Sequence, residues 1–239
     1  MFNDRAGPSF PPRTLDRWHN ASVPVSAAAL LGRTRTLGVI VPHADDETLG
    51  CGGLIAAAAD RGIHVIVTVL TDGSASHPGS AEWPPARLAR RRQREVRAAV
   101  AALTNGRGTL AFADAPDGQL ADHPAAALAV PPADLFVTCW RDDPHPDHAA
   151  AFAIADAVAR RHTRPLLAFP LWALDVDGPV PDMPIHRLDV SAQLPRKHAA
   201  LAAHASQLGA LIRDVDGFVI DEALQRLFVR PDELFVQLR

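Results

Sequence analysis

The sequence predicts an α/β fold, a doubly wound and mostly parallel sheet with helices on both faces, and three observations carry that prediction. Short apolar runs of strand length alternate with longer Ala-rich stretches of helical length, the pattern of stacked βα units. The first such run is continuous rather than alternating, as expected for a strand covered on both sides. Two of the runs lead into clusters rich in imidazole and carboxylate groups, His43-Ala44-Asp45-Asp46-Glu47 and His145-Pro146-Asp147-His148. Open α/β sheets bind their ligands in that position, past the carboxyl ends of strands where the strand order reverses.

Taken in order, residues 37–41 form the first strand, and after the loop 42–47 a helix runs to about Asp60 and stops near Gly62. Residues 64–70 are β-branched and make the second strand. Asp72-Gly73 then turns the chain. A loop rich in Ser, Pro and Gly, residues 74–85, is long enough to overhang a site and precedes a helix over 86–103. Residues 109–113 and 135–139 read as the third and fourth strands, with a helix from Asp147 to about His162 and a fifth strand over 166–169. Beyond it, 186–190 reads as a strand, 191–208 as a helix, and 218–239 as mixed strand and turn. Residues 1–35 are expected to be a partly irregular N-terminal extension, and 36–239 a single domain with a Rossmann-like sheet. If the first and fourth strands are neighbours across the reversal, the two clusters face each other.

Composition narrows the function classes. A chain of 239 residues that is 48% hydrophobic and 21% charged can bury one core as a single large domain. The formal net charge of −3 gives no basic footprint for nucleic acid, and the Arg-rich run 87–97 alternates with apolar residues as a solvated helix face does. Only Cys51 and Cys139 are present, too few for a disulfide framework, which favours a reducing compartment. No apolar stretch reaches the roughly 20 residues of a membrane span. The first 20 residues are polar and Pro-rich, unlike a secretory signal. The expectation is a cytoplasmic protein acting on a small molecule, with no nucleic-acid partner and with a homo-oligomer allowed for.

The clusters hold enough donors for a metal ion and still leave acid and base groups over. A catalytic zinc site uses three protein ligands and leaves one position open. His43 and Asp46, three residues apart where a loop enters a helix, can converge on one ion, and His148 completes the set. Imidazole ligands suit Zn²⁺ better than Ca²⁺ or Mg²⁺, while Fe²⁺ or Mn²⁺ could use the same groups. Asp45 is then placed to act as general base. His145 can face a developing oxyanion as a donor, and Asp147 can orient an imidazole through its other nitrogen.

A plainer reading stands beside this one: Asp45, Asp46, Glu47 and Asp147 precede helices and could simply cap them. Capping does not account for three histidines in the same two loops, because a helix N-terminus disfavours imidazolium. Trp83, Trp140 and Trp172 could offer apolar platforms to a sugar ring, or could pack in the core. His77 could line the pocket. Arg92 and Glu95 read as an i, i+3 pair on one helix face, and Asp72 and Asp117 as turn formers that could also touch substrate.

In combination these residues resemble the PIG-L/LmbE-type zinc-dependent deacetylases, which remove acetyl from N-acetylglucosaminyl groups. The resemblance rests on His-Ala-Asp-Asp-Glu after a strand, Thr71-Asp72-Gly73, Arg92-x-x-Glu95, Pro116-Asp117-Gly118, His145-Pro146-Asp147-His148, and Lys197 through His204 to Ser206-Gln207. It covers roughly residues 37–210. It implies His43, Asp46 and His148 as zinc ligands, Asp45 as general base and His145 as electrophile or acid. Two positions depart from the family's pattern. Ala44 stands where Pro is usual, which removes a rigid φ but no ligand. Asp143 stands where some relatives place a Tyr, and the chain contains no Tyr at all, so Asp143 is expected to contact substrate hydroxyls or repel an anionic substrate. The expected activity is hydrolysis of an N-acyl group on an amino sugar or its conjugate. The alternatives are a zinc amidase acting on a thiol-conjugated or otherwise modified sugar amide, and a non-catalytic sugar- or nucleotide-binding module.

Overall fold

Apolar runs that bury side chains on both faces build the centre of an eight-stranded sheet, and the computed structural model describes residues 13–123 and 130–238 of the chain. The elements are α1 (Arg13–Ala21), β1 (Ser22–Val25), α2 (Ala27–Leu31), β2 (Thr36–Val41), α3 (Asp46–Asp60), β3 (His64–Thr71), α4 (Pro85–Thr104), β4 (Thr109–Ala115) and β5 (Leu135–Cys139). They continue with α5 (Pro146–His162), β6 (Leu166–Phe169), β7 (Ile185–Asp189), α6 (Leu194–Ala203), α7 (Glu222–Phe228) and β8 (Asp232–Gln237). The strand order is β1-β7-β8-β6-β5-β2-β3-β4, and only β8 runs antiparallel to its neighbours.

From β2 the chain winds outward through β3 to β4, then returns to lay β5 on the other flank of β2. The order therefore reverses between β2 and β5, which pair in parallel with Leu37 opposite Leu135 and Ile40 opposite Thr138. That register sends the loops after β2 and β5 off the same end of the sheet. The two clusters meet there, as a doubly wound sheet requires of loops flanking its switch point.

Alternation along the central strands divides the core in two. Leu37, Val39 and Val41 of β2 and Leu135 and Val137 of β5 pack with Leu54, Val96, Val100 and Leu201 from α3, α4 and α6. Ile40 and Phe136 point the other way, onto Ile154, Ala155 and Val158 of α5. Helix α3 lies very close to its neighbours. A Cβ at Gly50 would sit 2.1 Å from the Phe169 ring, and one at Gly53 would sit 2.5 Å from Val190.

Helix α3 kinks at Cys51, whose φ of −144° and ψ of 22° are not helical. A kink exposes carbonyls on one side and amides on the other, and here a buried ion pair takes both. Lys197 Nζ donates to the Leu49 carbonyl at 3.0 Å and to Glu233 Oε1 at 2.6 Å. The Glu233 oxygens accept from the amides of Gly53 at 2.7 Å and Leu54 at 2.9 Å. The cation thus faces the end of one half-helix and the anion the start of the next, the signs a helix dipole favours. Lys197→Met should destabilise the fold by about 3–5 kcal/mol, because Glu233 stays buried without its partner. Chemical denaturation checks this; a midpoint equal to that of the wild type would remove the pair from the stability account.

Three stretches differ from the sequence expectation or sharpen it. Within 1–35, α1, β1 and α2 are ordered elements; β1 pairs with β7, and Trp18 of α1 is buried edge-on to Trp140 at 6.3 Å. The helix expected over 191–208 is shorter, α6, with single 3-10 turns at Ser191–Gln193 and Ala205–Gln207. Its far end breaks at His204 (φ −80°, ψ 47°), where side chains turn inward onto buried carboxylates. The stretch 218–239 contains a helix that the expectation lacked, α7, whose N-cap Asp221 accepts from the Leu224 amide at 2.9 Å. Asp221 followed by Leu224, Leu227 and Phe228 is a cap and an apolar stripe at helical spacing, a signal that was present in the sequence. Among the described residues no helix is long and apolar enough to cross a membrane.

Candidate functional site

The loop after β2 and the start of α5 bring the predicted ligands together. The Asp46 Oδ2 atom lies 3.2 Å from His43 Nδ1 and 3.5 Å from His148 Nε2, so one carboxylate oxygen faces two imidazoles. The same oxygen accepts the His43 amide at 3.0 Å, which ties the carboxylate back onto its own loop. His148 is fully buried, and both of its ring nitrogens lack a hydrogen-bond partner in good geometry. A buried polar atom left unsatisfied is costly, and an imidazole nitrogen aimed at a carboxylate and a second imidazole is what a cation would satisfy.

Each histidine of the set also meets a carboxylate at its other nitrogen. His43 Nε2 lies 3.2 Å from Asp147 Oδ2 and 3.2 Å from Asp117 Oδ1. His148 Nδ1 lies 3.3 Å from Asp143 Oδ1. Metal-binding imidazoles are oriented by such carboxylates, so His43, Asp46 and His148 suit a divalent ion in donor chemistry and support, although their donor atoms are not among the groups of three that lie within 4.8 Å of one another. Other donor groupings lie close by: His43, His145 and His148; His43, Asp117 and Asp147; and Asp46, Cys139 and His148. Burial pushes the Cys139 thiol up to about 12, which keeps it protonated.

Glu47 does reach back to the amide of the N-cap residue Asp45, but the three aspartates do not cap the helices they precede. Asp45 is the N-cap of α3 by position, yet its side chain makes no cap hydrogen bond. Asp46 is committed to the His43 amide. The N-cap of α5 is His145, whose Nδ1 accepts the Asp147 amide at 3.2 Å, while Asp147 accepts from the amides of Gly118 at 2.8 Å and Leu120 at 3.1 Å.

Asp45 is strained and enclosed. Its φ of +133° is in the region that disfavours side chains, a conformation costing about 1–3 kcal/mol that persists only where its surroundings impose it. Its amide donates to Glu47 Oε2 at 2.9 Å, and its Oδ2 accepts from Arg92 Nη2 at 3.2 Å. Burial pushes its carboxyl up to about 7, against the pull of Arg92. For Asp46 burial acts in the same upward sense, but His148 and His43 hold that carboxyl well below the ordinary range. Two adjacent aspartates are thus driven apart, one toward a proton-accepting role and one toward permanent charge. Asp45→Gly should be more stable than Asp45→Ala by about 1 kcal/mol, since glycine adopts a positive φ without steric cost. Equal denaturation midpoints for the two variants would remove the strain argument.

His145 stands across from the ligands, its ring centroid 4.8 Å from that of His43 and 5.0 Å from that of His148. Burial lowers it to about 4, with the neighbouring His43 and His148 acting in the same direction. Because Nδ1 accepts the Asp147 amide, the proton of the neutral ring resides on Nε2, which makes that nitrogen a donor.

The residues singled out as substrate contacts fall in several places. Arg92 is buried beside the site, with its guanidinium committed to the carbonyls of Ala44 at 2.8 Å and Gly73 at 3.1 Å and to Asp45. Asp117 faces His43, as above, and its Oδ2 accepts the Ala75 amide at 2.9 Å. Asp143 is not turned to the pocket mouth: besides facing His148 it accepts the amides of His145 at 3.2 Å and Leu171 at 3.2 Å. It therefore braces the loop after β5 against the loop after β6. Trp140 is only 2% exposed and packs edge-on against Trp18 and Phe152, so it belongs to the core. Trp172 is half-buried and meets Phe218 and Phe228 edge-on. His77 is buried against Gly217 rather than solvated, because loop 74–84 is fastened to loop 209–218: Asp214 accepts from Ser80 Oγ at 2.8 Å and from the Ala81 amide at 2.8 Å. Sequence reasoning named Glu47 within the first cluster and His204 only through the family resemblance, and gave neither a role of its own beyond capping or packing near the site. Their signal was weak, a buried acid and a distant histidine that no local pattern connects.

The model of the PIG-L family, described as GlcNAc-PI de-N-acetylase, matches residues 38–159. Among solved structures, the chain is similar to N,N'-diacetylchitobiose deacetylase from Pyrococcus horikoshii, with 16% identity and a TM-score of 0.62, covering 87% of this chain and 85% of that one. It is similar to the A40926 pseudoaglycone deacetylase Dbv21, with 24% identity and a TM-score of 0.64, covering 86% of this chain and 97% of that one. It is also similar to GalB, the 4-carboxy-2-hydroxymuconate hydratase of Pseudomonas putida KT2440, with 22% identity and a TM-score of 0.55, covering 72% and 80%. At these identities the likeness establishes the fold. No curated protein sequence gives a match.

Proposed function

Because the chain belongs to the PIG-L family, we propose that it is a metal-dependent N-deacetylase acting on an amino sugar or an N-acetylglucosaminyl conjugate. The observation that carries this reading is the division of labour between adjacent aspartates: Asp46 faces two imidazoles, while Asp45 is strained, buried and free of any capping bond. Two of the similar structures are deacetylases, one of N,N'-diacetylchitobiose and one of the A40926 pseudoaglycone, which supports the reading, while the hydratase on the same fold makes the reaction a matter for experiment.

A zinc ion held by His43, Asp46 and His148 would supply a water acidified to a pKa of about 7 and a Lewis acid for the substrate carbonyl. Asp45 takes the proton of the attacking water, a task matched to a carboxyl that burial raises to about 7. Arg92 holds the Asp45 carboxylate in place from behind. His145 presents its Nε2 proton to the oxygen that gains charge as the carbonyl is attacked, a contribution of about 3–4 kcal/mol for a well-placed donor. Asp147, Asp117 and Asp143 keep the two ligand imidazoles in orientation. Asp45, now carrying the proton, returns it to the nitrogen of the departing amine.

Acetate release from a panel of N-acetylated sugars, with zinc-loaded and with chelator-stripped protein, tests the assignment. The expected result is acetate release that depends on metal and on the amino-sugar ring. Metal-independent release, or hydration of an enol-acid substrate with no acetate formed, would overturn it.

A further inference from the structure

The unexplained group beside the site is a buried histidine from the C-terminal third, outside the residues that the family model matches. His204 is 1% exposed, and its Nε2 lies 3.1 Å from Glu47 Oε1 and 3.3 Å from Thr48 Oγ1. Thr48 Oγ1 itself donates to Glu47 Oε1 at 2.6 Å. The other oxygen of Glu47 receives the Asp45 amide at 2.9 Å. A short path of hydrogen bonds therefore runs from His204 through one carboxylate to the strained backbone of Asp45.

Two residues later the same segment holds a second carboxylate. Ser206 donates to Glu95 from its amide at 2.9 Å and from its hydroxyl at 2.6 Å. Glu95 lies on α4 one turn beyond Arg92, whose guanidinium holds the Asp45 carboxylate and the Ala44 carbonyl. Helix α6 stops at His204 for this purpose: the φ and ψ of that residue leave the helix and turn its ring onto Glu47. Glu95 also pairs with Arg91 at 2.6 Å, so the link that runs unbroken from this segment to Asp45 is the one through Glu47 to the Asp45 amide.

We propose that His204 is a positioning residue that keeps the Asp45 carboxylate in its working orientation by fixing Glu47, a role that rests on Asp45 being the base. A residue at φ +133° stays there only while its surroundings demand it. Without an imidazole on Oε1, Glu47 can rotate away from the Asp45 amide. The backbone then relaxes and swings the carboxylate off its target. A misplacement of about 1 Å at a reacting group costs roughly a hundredfold in rate.

The test compares wild type, His204→Leu and His204→Gln, each loaded with zinc and with metal content measured. Leucine fills the space without bonding to Glu47, while the glutamine amide can place a donor where Nε2 stood. The expected result is a fall in kcat of roughly ten- to a hundredfold for His204→Leu, with KM and metal stoichiometry unchanged and most of the loss restored by His204→Gln. Crystal structures of the metal-free proteins add a readout independent of turnover: Asp45 should leave positive φ in His204→Leu and keep it in His204→Gln. If His204→Leu does not fold, His204→Asn, whose amide is too short to reach Glu47, carries the same comparison. A kcat within twofold of wild type, a loss confined to KM or metal content, equal losses for both variants, or an unmoved Asp45 backbone would overturn the proposal. Wild type that releases no acetate from any substrate would instead sink the deacetylase reading, and the Asp45 backbone would still report on His204.

Discussion

His148→Ala should purify without zinc, whereas the wild-type protein should hold roughly one equivalent per chain. The expectation follows from burial as much as from ligand count. His148 is completely enclosed, and its Nε2 lies 3.5 Å from Asp46 Oδ2. Truncation leaves two ligands and removes the buried imidazole that faces Asp46 and Asp143. Asp143→Asn gives a graded control, because it disturbs the imidazole without removing it; such orienting partners typically cost ten- to a hundredfold in affinity. Elemental analysis after dialysis against metal-free buffer measures both. Full occupancy in His148→Ala would relocate the ion, and the nearest other donor group not using His148 is His43 with Asp117 and Asp147.

Asp45→Asn should show the opposite pattern, with metal and fold retained and turnover on N-acetylated sugars reduced by about 10² to 10⁴. The amide keeps the shape of the carboxylate and can still meet Arg92, but it cannot accept the proton of the attacking water. Metal content, denaturation midpoint and steady-state kinetics on one preparation separate the outcomes. A variant that loses its metal would make Asp45 a ligand, and one that keeps full turnover would move the base elsewhere.

Much of the scaffold was legible in the sequence because its signals are local. The apolar runs that became β2, β3, β5 and β6 and the Ala-rich stretches of α3 and α5 carry their own periodicity, and Gly62 marks the turn after α3. Helix α7 was also locally encoded, in Asp221 and the stripe of Leu224, Leu227 and Phe228, and was passed over because Phe218, Val219 and Ile220 beside it look like a strand. The break at His204 was not encoded locally at all. The sequence around it favours a continuous helix, and the inward pull of Glu47 and Glu95 overrides that preference.

The site divides along the same line. Contiguous residues exposed the donors: His43, Asp45 and Asp46 stand together, as do His145, Asp147 and His148, and their place after strands marked them as a site. Which nitrogen faces which carboxylate required the fold. Asp117 reaches His43 only because β4 and β5 flank the β2–β3 pair, and Asp143 faces inward because its second oxygen is held by the loop after β6. Trp140 reads in sequence as either a platform for a sugar or core, and the fold makes it core, since α1 folds back to cover it. By itself the sequence determined the alternation of strands and helices from β2 to β6 and the chemistry of the two clusters, because both are written within a few neighbouring residues. Only the tertiary structure decided the pairing of β2 with β5, the partners behind each imidazole and the grip of His204 on Glu47. The pairing of β2 with β5, the contact of His43 with Asp147 and that of Glu47 with His204 join residues about a hundred or more positions apart, and nothing short of a closed core brings them within hydrogen-bond reach.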